Sequence, residues 1–275
     1  MLRIALMGDL HYPIIASNSK KREMLQNAKT NFFKAYFDHF FEVAADLYLS
    51  IGDLTHNGNS EEFTEVYDLI QQYNKPFRQV LGNHDVLGIS KHAIYTYTLA
   101  PHYDLISTPE ASLILLDTTK EYELFSSGLD DAQWQWLDKN IESSSNKPLL
   151  VFAHHPVAGT TFDSPASDRQ FEAYQDIRPL LKKREGEAVY FNGHTHSHAI
   201  VKQSNWHYVQ TAAVLCDLSF RIIEIDQQTI HIKTVTLNDN LLEKNRAILY
   251  ELLPDFHQPD HLNKIFTALE LQYQL

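Results

Sequence analysis

The chain has 275 residues, a formal net charge of -12, 15 histidines and one cysteine. Proteins that bind nucleic acid polymers carry basic stripes that neutralise phosphates, so an acidic chain of this kind is not expected to bind such polymers. The single cysteine, Cys216, excludes an internal disulfide and a thiolate metal cluster. No apolar stretch approaches the ~20 residues of a membrane helix, so we expect no membrane partner and a cytoplasmic location.

Two apolar runs near the start predict parallel strands joined by a helix. Residues 2–7 form the first run, and Asp9 and His11 follow it in a turn. Apolar residues at helical spacing over 23–45 predict the connecting helix, which leads to a second strand at 46–50. Asp53 follows this strand in a glycine-flanked turn. Because alternate residues of extended backbone share a face, Asp9 and His11 are predicted to reach one ion together.

Three more predicted strands end in the same kind of turn. They cover residues 77–81, 148–153 and 187–191, and helices are predicted between them, including one at 60–73 that begins with Ser60 as its N-cap and one at 168–184. The turns contain side chains that ligate metals: Asn83 and His84, His154 and His155, and His194 and His196.

The remaining sequence changes character. Short apolar runs at 199–202, 207–211, 220–225 and 229–235 predict strands suited to antiparallel pairing. Strands that alternate with helices, followed by strands alone, favour an α/β fold, a four-layer αββα sandwich of two mixed sheets flanked by helices. We expect a catalytic domain over 1–237 and a helical C-terminal extension over 238–275. The apolar residues of this extension either cover the domain's own surface or form a homodimer.

The strand-end turns together predict a metal centre. Open parallel sheets place functional groups beyond the carboxyl ends of their strands. Histidine and carboxylate ligands suit Mn, Fe and Zn alike. The donors exceed the needs of one ion, and two ions about 3.5–4 Å apart could share Asp53 through its two oxygens. A bridging water would be largely hydroxide near neutral pH, and the remaining positive charge would favour an anionic ester.

The order and spacing of these motifs resemble the calcineurin-like metallophosphoesterase family, which includes purple acid phosphatases and cyclic-nucleotide phosphodiesterases. The resemblance spans about residues 1–235 and is greatest to small bacterial phosphodiesterases of the cyclic-nucleotide and glycerophosphodiester type. The motifs that carry it are Asp9-Leu10-His11, Gly52-Asp53 with Gly58, Gly82-Asn83-His84-Asp85, His154-His155-Pro156 and Gly193-His194-Thr195-His196.

The resemblance implies a role for each of these residues. One metal would be held by Asp9, His11 and His196 and the other by Asn83, His154 and His194, with Asp53 bridging the two. His84 would face the substrate phosphate or protonate the leaving alkoxide, and Asp85 is a candidate orienting partner for it. His155 could lie behind the ligands or face the substrate. His56, His92 and His198 are expected to be solvated loop residues, although His56 and His198 could instead touch the substrate.

The predicted function is hydrolysis of a phosphodiester. The metal-bridging hydroxide would attack phosphorus in line, and His84 would assist departure of the alkoxide. One alternative is a phosphomonoesterase or nucleotide pyrophosphatase, and another is a non-catalytic metal-binding scaffold of the same fold. The expected cofactors are two ions of Mn, Fe or Zn, and the expected partner is a small-molecule phosphoester.

Overall fold

Two six-stranded mixed sheets form the centre of the protein. The computed structural model describes residues 1–15, 21–143, 147–161, 164, 176–226, 229–253, 255–259 and 269–274. In chain order the elements are β1 (Leu2–Met7), α1 (Arg22–Glu42), β2 (Leu47–Ser50), α2 (Ser60–Gln71), β3 (Phe77–Gln79), α3 (Lys91–Thr98), β4 (Asp104–Ser107), β5 (Ser112–Leu115), β6 (Thr119–Lys120), β7 (Glu123–Ser127), α4 (Asp131–Ser143), β8 (Leu149–Phe152), α5 (Arg178–Leu181), β9 (Ala188–Asn192), β10 (Ala199–Gln203), β11 (Trp206–Gln210), β12 (Ser219–Ile225), β13 (Thr229–Thr236), α6 (Asn240–Leu249) and β14 (Glu270–Gln274).

The strand order explains how the sheets are built. The first sheet has the order β14-β13-β12-β1-β2-β3, and the second has the order β10-β11-β9-β8-β5-β4. Strands β1, β2 and β3 run parallel, as do β5, β8 and β9. The carboxyl ends of these parallel strands are where functional groups are expected to collect.

The hydrophobic residues divide the protein into four layers. One buried cluster lies between the sheets and contains Ile4 of β1 and Phe152 of β8. A second cluster joins the other face of the first sheet to α1, α2 and α6, and a third joins the second sheet to α4 and α5. Strands covered on both faces read as nearly continuous apolar runs, which is why β8 is apolar throughout and β1 is apolar except for Arg3. The predicted αββα sandwich is confirmed.

Helix α1 is the main cover of the first sheet. Its buried aromatic residues recur at helical spacing, as on a helix that presents one broad face to a core: Phe32, Phe33, Tyr36, Phe37, Phe40 and Phe41.

The next helix, α2, begins at Ser60, one residue earlier than predicted, because Ser60 was expected to be the N-cap and not the first helical residue. The side chain of Asn59, not Ser60, accepts the main-chain N–H of Glu62 and caps the helix.

Several predicted elements differ in detail. Strand β11 pairs parallel with β9 and only its other edge pairs antiparallel, with β10. The hairpin of β6 and β7 has too few residues for a periodic signal, and the sequence prediction missed it. Of the helix predicted over 168–184, residues 168–175 lie outside the described residues, and the part described contains α5.

The described part of the C-terminal extension is only partly helical, and the helical prediction for residues 260–268 lies outside the described residues. Helix α6 is helical as predicted, but β14 is a strand that pairs antiparallel with β13. The helical prediction for 270–274 is therefore wrong. Leu271 and Tyr273 point into the core between the sheets, so this part of the extension covers the domain's own surface. None of the helices in the described ranges is long and apolar enough to cross a membrane.

Candidate metal centre

Five turns meet at one edge of the two sheets. They follow β1, β2, β3, β8 and β9 and contain Asp9, Asp53, Asn83, His154 and His194 respectively. All of these side chains are buried except His194, which is half-buried. Sheet topology thus brings together side chains that are far apart in sequence, as the strand-end pattern predicted.

A first cluster contains the side chains of Asp9, His11, Asp53 and His196, whose potential ligand atoms all lie within 4.8 Å of one another. Nε2 of His11 lies 3.1 Å from Nε2 of His196, and Nε2 of His196 lies 3.4 Å from Oδ2 of Asp9. These atoms point at a common centre. The cluster has the same members as the first predicted ligand set.

A second cluster contains Asn83, His154 and His194, again around Asp53. Oδ1 of Asn83 lies 3.0 Å from both Nε2 of His154 and Nδ1 of His194. The two ring nitrogens are 3.3 Å apart, and Nε2 of His154 lies 3.2 Å from Oδ2 of Asp53. The Nδ1–H of His154 donates to the main-chain oxygen of Ile51, which leaves Nε2 of that ring as the atom facing the cluster.

Asp53 belongs to both clusters through one oxygen. Oδ2 lies near His154 and is 3.8 Å from Nε2 of His11, whereas Oδ1 accepts the main-chain N–H of His84 at 2.8 Å. The sequence-based expectation gave each ion one oxygen of Asp53. That expectation stays a prediction, and in the structure Oδ1 is the oxygen that the main chain at His84 engages.

The backbone at these turns is unusual. His11, Asp53, His194 and His196 all have positive φ, between 47° and 71°, a conformation that non-glycine residues adopt mainly where the surrounding structure enforces it. The prediction that His11 lies on extended backbone is therefore wrong, although its ring still converges with Asp9. Gly82 permits the close approach of Asp53, because a Cβ at Gly82 would lie 2.1 Å from Oδ1 of Asp53.

Burial controls the charges of the centre. Burial, reinforced by neighbouring histidines, holds the pKa of His11 and of His194 well below the ordinary value, and burial lowers the pKa of His196 to about 4. These rings are neutral at pH 7, which is the form that ligates metals. Burial, together with the charge of Asp53, raises the pKa of Asp9 to about 8. Asp9 thus lacks sufficient compensating charge within the protein alone. Asp53 differs, because the neighbouring His154 holds the pKa of this carboxyl well below its ordinary value, and the two aspartates raise the pKa of His154 to about 9.

The donor set fits divalent or trivalent metal ions. It consists only of imidazole nitrogens and carboxylate or amide oxygens, which suit Mn, Fe and Zn. Oδ1 of Asp9 is buried and has no hydrogen-bond partner among the described residues. A buried carboxylate oxygen without a partner is costly unless a cation or another donor satisfies it. Cations at the two clusters would satisfy both this oxygen and the facing ring nitrogens.

His84 lies beside the first cluster with a half-buried ring. Its Nδ1–H donates to the main-chain oxygen of His56 at 2.6 Å, so Nε2 remains as the acceptor or donor for another molecule. The ring packs edge-on against His11 and stacks on His56. His56 is only partly exposed, and its Nδ1 lies 3.3 Å from Nδ1 of His11, so it is not a simple solvated loop residue.

Asp85 does not orient His84. Its carboxylate accepts four hydrogen bonds from other groups: the main-chain N–H and hydroxyl of Thr55, the side-chain amide of Gln79 and the main-chain N–H of Gly82. The predicted orienting role is wrong because both oxygens of Asp85 already join the turn after β2 to the turn after β3. The main-chain oxygen of His56 is the partner of the His84 ring instead.

Asp85→Ala is expected to lower the free energy of unfolding by about 3 kcal/mol, because it leaves several buried donors without acceptors. Urea unfolding of the metal-free protein measures this loss. The matched control is Asp138→Ala, which removes an exposed carboxylate paired with Lys183 and should change stability by less than about 1 kcal/mol. A loss for Asp85→Ala no larger than for the control would show that the four hydrogen bonds are not needed.

Two further histidines have different environments. His155 is buried, its Nδ1 lies 2.7 Å from the Thr118 hydroxyl, and a potential ligand atom of its ring lies within 4.8 Å of those of His154 and His194, so it borders the second cluster. His198 was expected in solvent but is buried against Arg221, which is itself fully buried and bonded to Nδ1 of His198 at 3.1 Å. Sequence reasoning missed this pair because nothing in the local pattern marks Arg221 as buried. His92 is exposed, on helix α3.

The segment of residues 255–259 also reaches the centre, which sequence reasoning missed. The ring of Phe256 stacks on His196 with centroids 4.7 Å apart and meets His11 edge-on at 5.0 Å. The main-chain oxygen of His257 accepts from Nδ1 of His196 at 2.6 Å. A main-chain acceptor has no signature in the sequence, so no pattern could have identified this contact.

Comparison with known proteins identifies similar sequences and folds. The sequence profile of the calcineurin-like phosphoesterase family matches residues 2–198. A probable cyclic nucleotide phosphodiesterase of Psychrobacter arcticus is 28% identical over 172 residues, which cover 56% of this chain and 58% of that protein. A probable glycerophosphodiester phosphodiesterase of Arcobacter nitrofigilis is 24% identical over 186 residues, which cover 64% of this chain and 68% of the relative.

A solved structure has the same fold. A dimetal phosphatase from Danio rerio superposes with a TM-score of 0.70 at 14% identity, and the match covers 86% of this chain and 96% of the other. At this identity the likeness concerns the fold alone. The chain spans less than two thirds of the length of the Psychrobacter protein.

Proposed function

Since this chain belongs to the calcineurin-like phosphoesterase family, we propose that it is a metal-dependent hydrolase that cleaves a phosphodiester. The observation that carries the proposal is the convergence of two donor clusters on Oδ2 of Asp53. Convergent imidazoles and buried carboxylates at strand ends are the arrangement that a dinuclear metal centre requires. We assign Asp9, His11 and His196 to one ion.

Asn83, His154 and His194 are assigned to the other ion, with Asp53 shared between both. When bound, such ions would supply Lewis acidity at the phosphoryl group and a water of lowered pKa as nucleophile. The chain itself fixes the positions of the ligands, because their turns follow five different strands. It also keeps His154 in the required tautomer through the main-chain oxygen of Ile51.

His84 is proposed as the group that contacts the substrate phosphate and protonates the departing alkoxide. Its Nδ1–H is held by the main-chain oxygen of His56, so its Nε2 is the atom that can exchange a proton with a ligand. The main-chain N–H of His84 also donates to Oδ1 of Asp53. The main chain of His84 is therefore bonded to the carboxylate that lies between the two clusters, and its side chain is the proposed acid.

A diester is the favoured substrate because two relatives are named as a probable cyclic nucleotide phosphodiesterase and a probable glycerophosphodiester phosphodiesterase. The phosphomonoesterase and nucleotide pyrophosphatase alternatives use the same donors and differ in the ester accepted. A non-catalytic scaffold would bind metal without hydrolysis. Rates on a set of substrates therefore distinguish these functions.

The test is a phosphoester panel on protein reconstituted separately with Mn, Fe and Zn. The substrates are bis(p-nitrophenyl) phosphate, p-nitrophenyl phosphate, a cyclic nucleotide and a dinucleotide pyrophosphate. We expect metal-dependent turnover that is fastest on the diesters. Faster cleavage of the monoester or the pyrophosphate would support the alternative enzyme functions, and stoichiometric metal without turnover of any substrate would support the scaffold.

A further inference from the structure

The 255–259 segment lies outside the part of the chain that matches the family, which ends at residue 198. It nevertheless makes two contacts with the first cluster. Phe256 is buried in the same hydrophobic cluster as Leu249 of α6, so the segment is anchored to the helix layer over the first sheet. From this anchor it places one aromatic ring and one carbonyl oxygen against the proposed ligands.

The carbonyl oxygen decides which nitrogen of His196 can ligate a metal. A neutral imidazole has one N–H and one lone pair. Because the oxygen of His257 accepts from Nδ1, the proton is held on Nδ1 and the lone pair on Nε2. Nε2 is the nitrogen that faces His11 and Asp9. Partners of this kind, bonded to the far nitrogen of a metal-ligating histidine, fix both its tautomer and its ring orientation.

The aromatic ring keeps the same histidine in place. Phe256 lies nearly parallel to His196, at an interplanar angle of 15°, and nearly perpendicular to His11, at 84°. A ring packed on both imidazoles restricts their rotation and excludes water that would compete for the Nδ1 proton. It also lowers the local polarity, which strengthens the attraction between a cation and its ligands.

The second cluster is held in a different way. Nδ1 of His154 donates to Ile51, the residue that follows β2, and this contact lies within the part of the chain that matches the family. Of the four proposed ligand histidines, His196 is the one bonded to the 255–259 segment. Loss of the segment would therefore affect the two halves of the centre unequally.

We propose that the 255–259 segment is a positioning element for the His11 and His196 half of the metal centre, and that it sets the affinity of this half for its ion. Phe256 and the main-chain oxygen of His257 act through the two histidines and touch neither substrate nor metal. The inference rests on the proposed function, because it takes His11 and His196 to be ligands.

The test compares Phe256→Ala with matched variants in calorimetric titrations of the metal-free protein with Mn²⁺ or Zn²⁺. Phe256→Ala is expected to weaken one of two binding events by about 10- to 100-fold and to leave the other unchanged. Phe256→Leu, which retains apolar volume, should recover part of the affinity. His92→Ala, which alters an exposed histidine on α3, should bind both ions as the unaltered protein does.

Leu137→Ala is the control for a merely structural effect. Leu137 is fully buried in the separate hydrophobic cluster between the second sheet and α4, so this variant should lower the melting temperature while both affinities are retained. Histidine ¹⁵N spectra of the metal-free protein give an independent readout. His196 should carry its proton on Nδ1 in the unaltered protein and should become a mixture of tautomers in Phe256→Ala.

Three results would overturn the inference: equal weakening of both binding events in Phe256→Ala, unchanged affinities in that variant, or a His196 tautomer that does not respond to it. Failure of the proposed function looks different. If the unaltered protein binds metal but hydrolyses no phosphoester, the titrations still test the segment. If it binds no stoichiometric metal, the spectra still report whether the segment fixes the His196 ring.

Discussion

Asp53→Asn is expected to weaken the binding of both metal ions at once and to lower kcat/KM for a phosphodiester by about 10³-fold or more, since metal ions contribute several kcal/mol to such reactions. The reason lies in how the amide would be oriented. The position of Oδ1 must accept the main-chain N–H of His84, so the amide oxygen would take that place. The amide NH₂ would then face both clusters where Oδ2 now lies, and it would repel cations.

Metal content after dialysis against limiting metal, measured together with turnover, tests this expectation. His11→Ala and Asn83→Ala are the matched comparisons, because each removes a donor from one cluster only. We expect each of them mainly to lose one ion. Equal loss of both ions from all three variants would show that Asp53 has no special position between the two clusters.

His84→Ala is expected to retain both metal ions and to lower kcat by about 10²- to 10⁴-fold on esters with poor leaving groups, the usual contribution of a general acid. The residue contributes no ring nitrogen to the contacts around Asp53 Oδ2, and its Nδ1 is already bonded to His56. A side chain in this position can be removed without removing a ligand.

The choice of leaving group makes this prediction specific. An alkoxide must be protonated as it departs, whereas p-nitrophenolate is stable without a proton, so the loss in His84→Ala should be smaller for bis(p-nitrophenyl) phosphate. His92→Ala, which alters an exposed histidine on α3, is the control and should have ordinary activity. Equal losses on both ester types would assign His84 to phosphate stabilisation and not to proton transfer.

The positions of the candidate ligands could be predicted because each follows an apolar run. Asp9, Asp53, His154 and His194 follow strands whose residues are mostly buried, and such strands are easily recognised in a sequence. Strand β3, which precedes Asn83, is only partly buried. Parallel strands align their carboxyl ends, so the pattern also predicted that these side chains would lie close together. The four-layer sandwich followed from the same order of strands and helices.

The partners of these side chains could not be predicted in the same way. His84 and His196 are each oriented by a main-chain oxygen, the latter 61 residues away in sequence. Every residue has such an oxygen, so its position depends on folding and not on residue type. The predicted role for Asp85 was wrong because sequence adjacency to His84 says little about which groups its carboxylate reaches.

Short elements could also not be predicted from the sequence. The five residues of β14 contain too little periodicity to distinguish a strand from a helix, and their pairing with β13 decides their conformation. The sequence by itself determined which side chains follow which strands, because burial of a strand requires apolar residues. Only the tertiary structure decided which oxygen of Asp53 faces both clusters and that the 255–259 segment closes over His11 and His196, because these contacts depend on main-chain atoms brought together by packing.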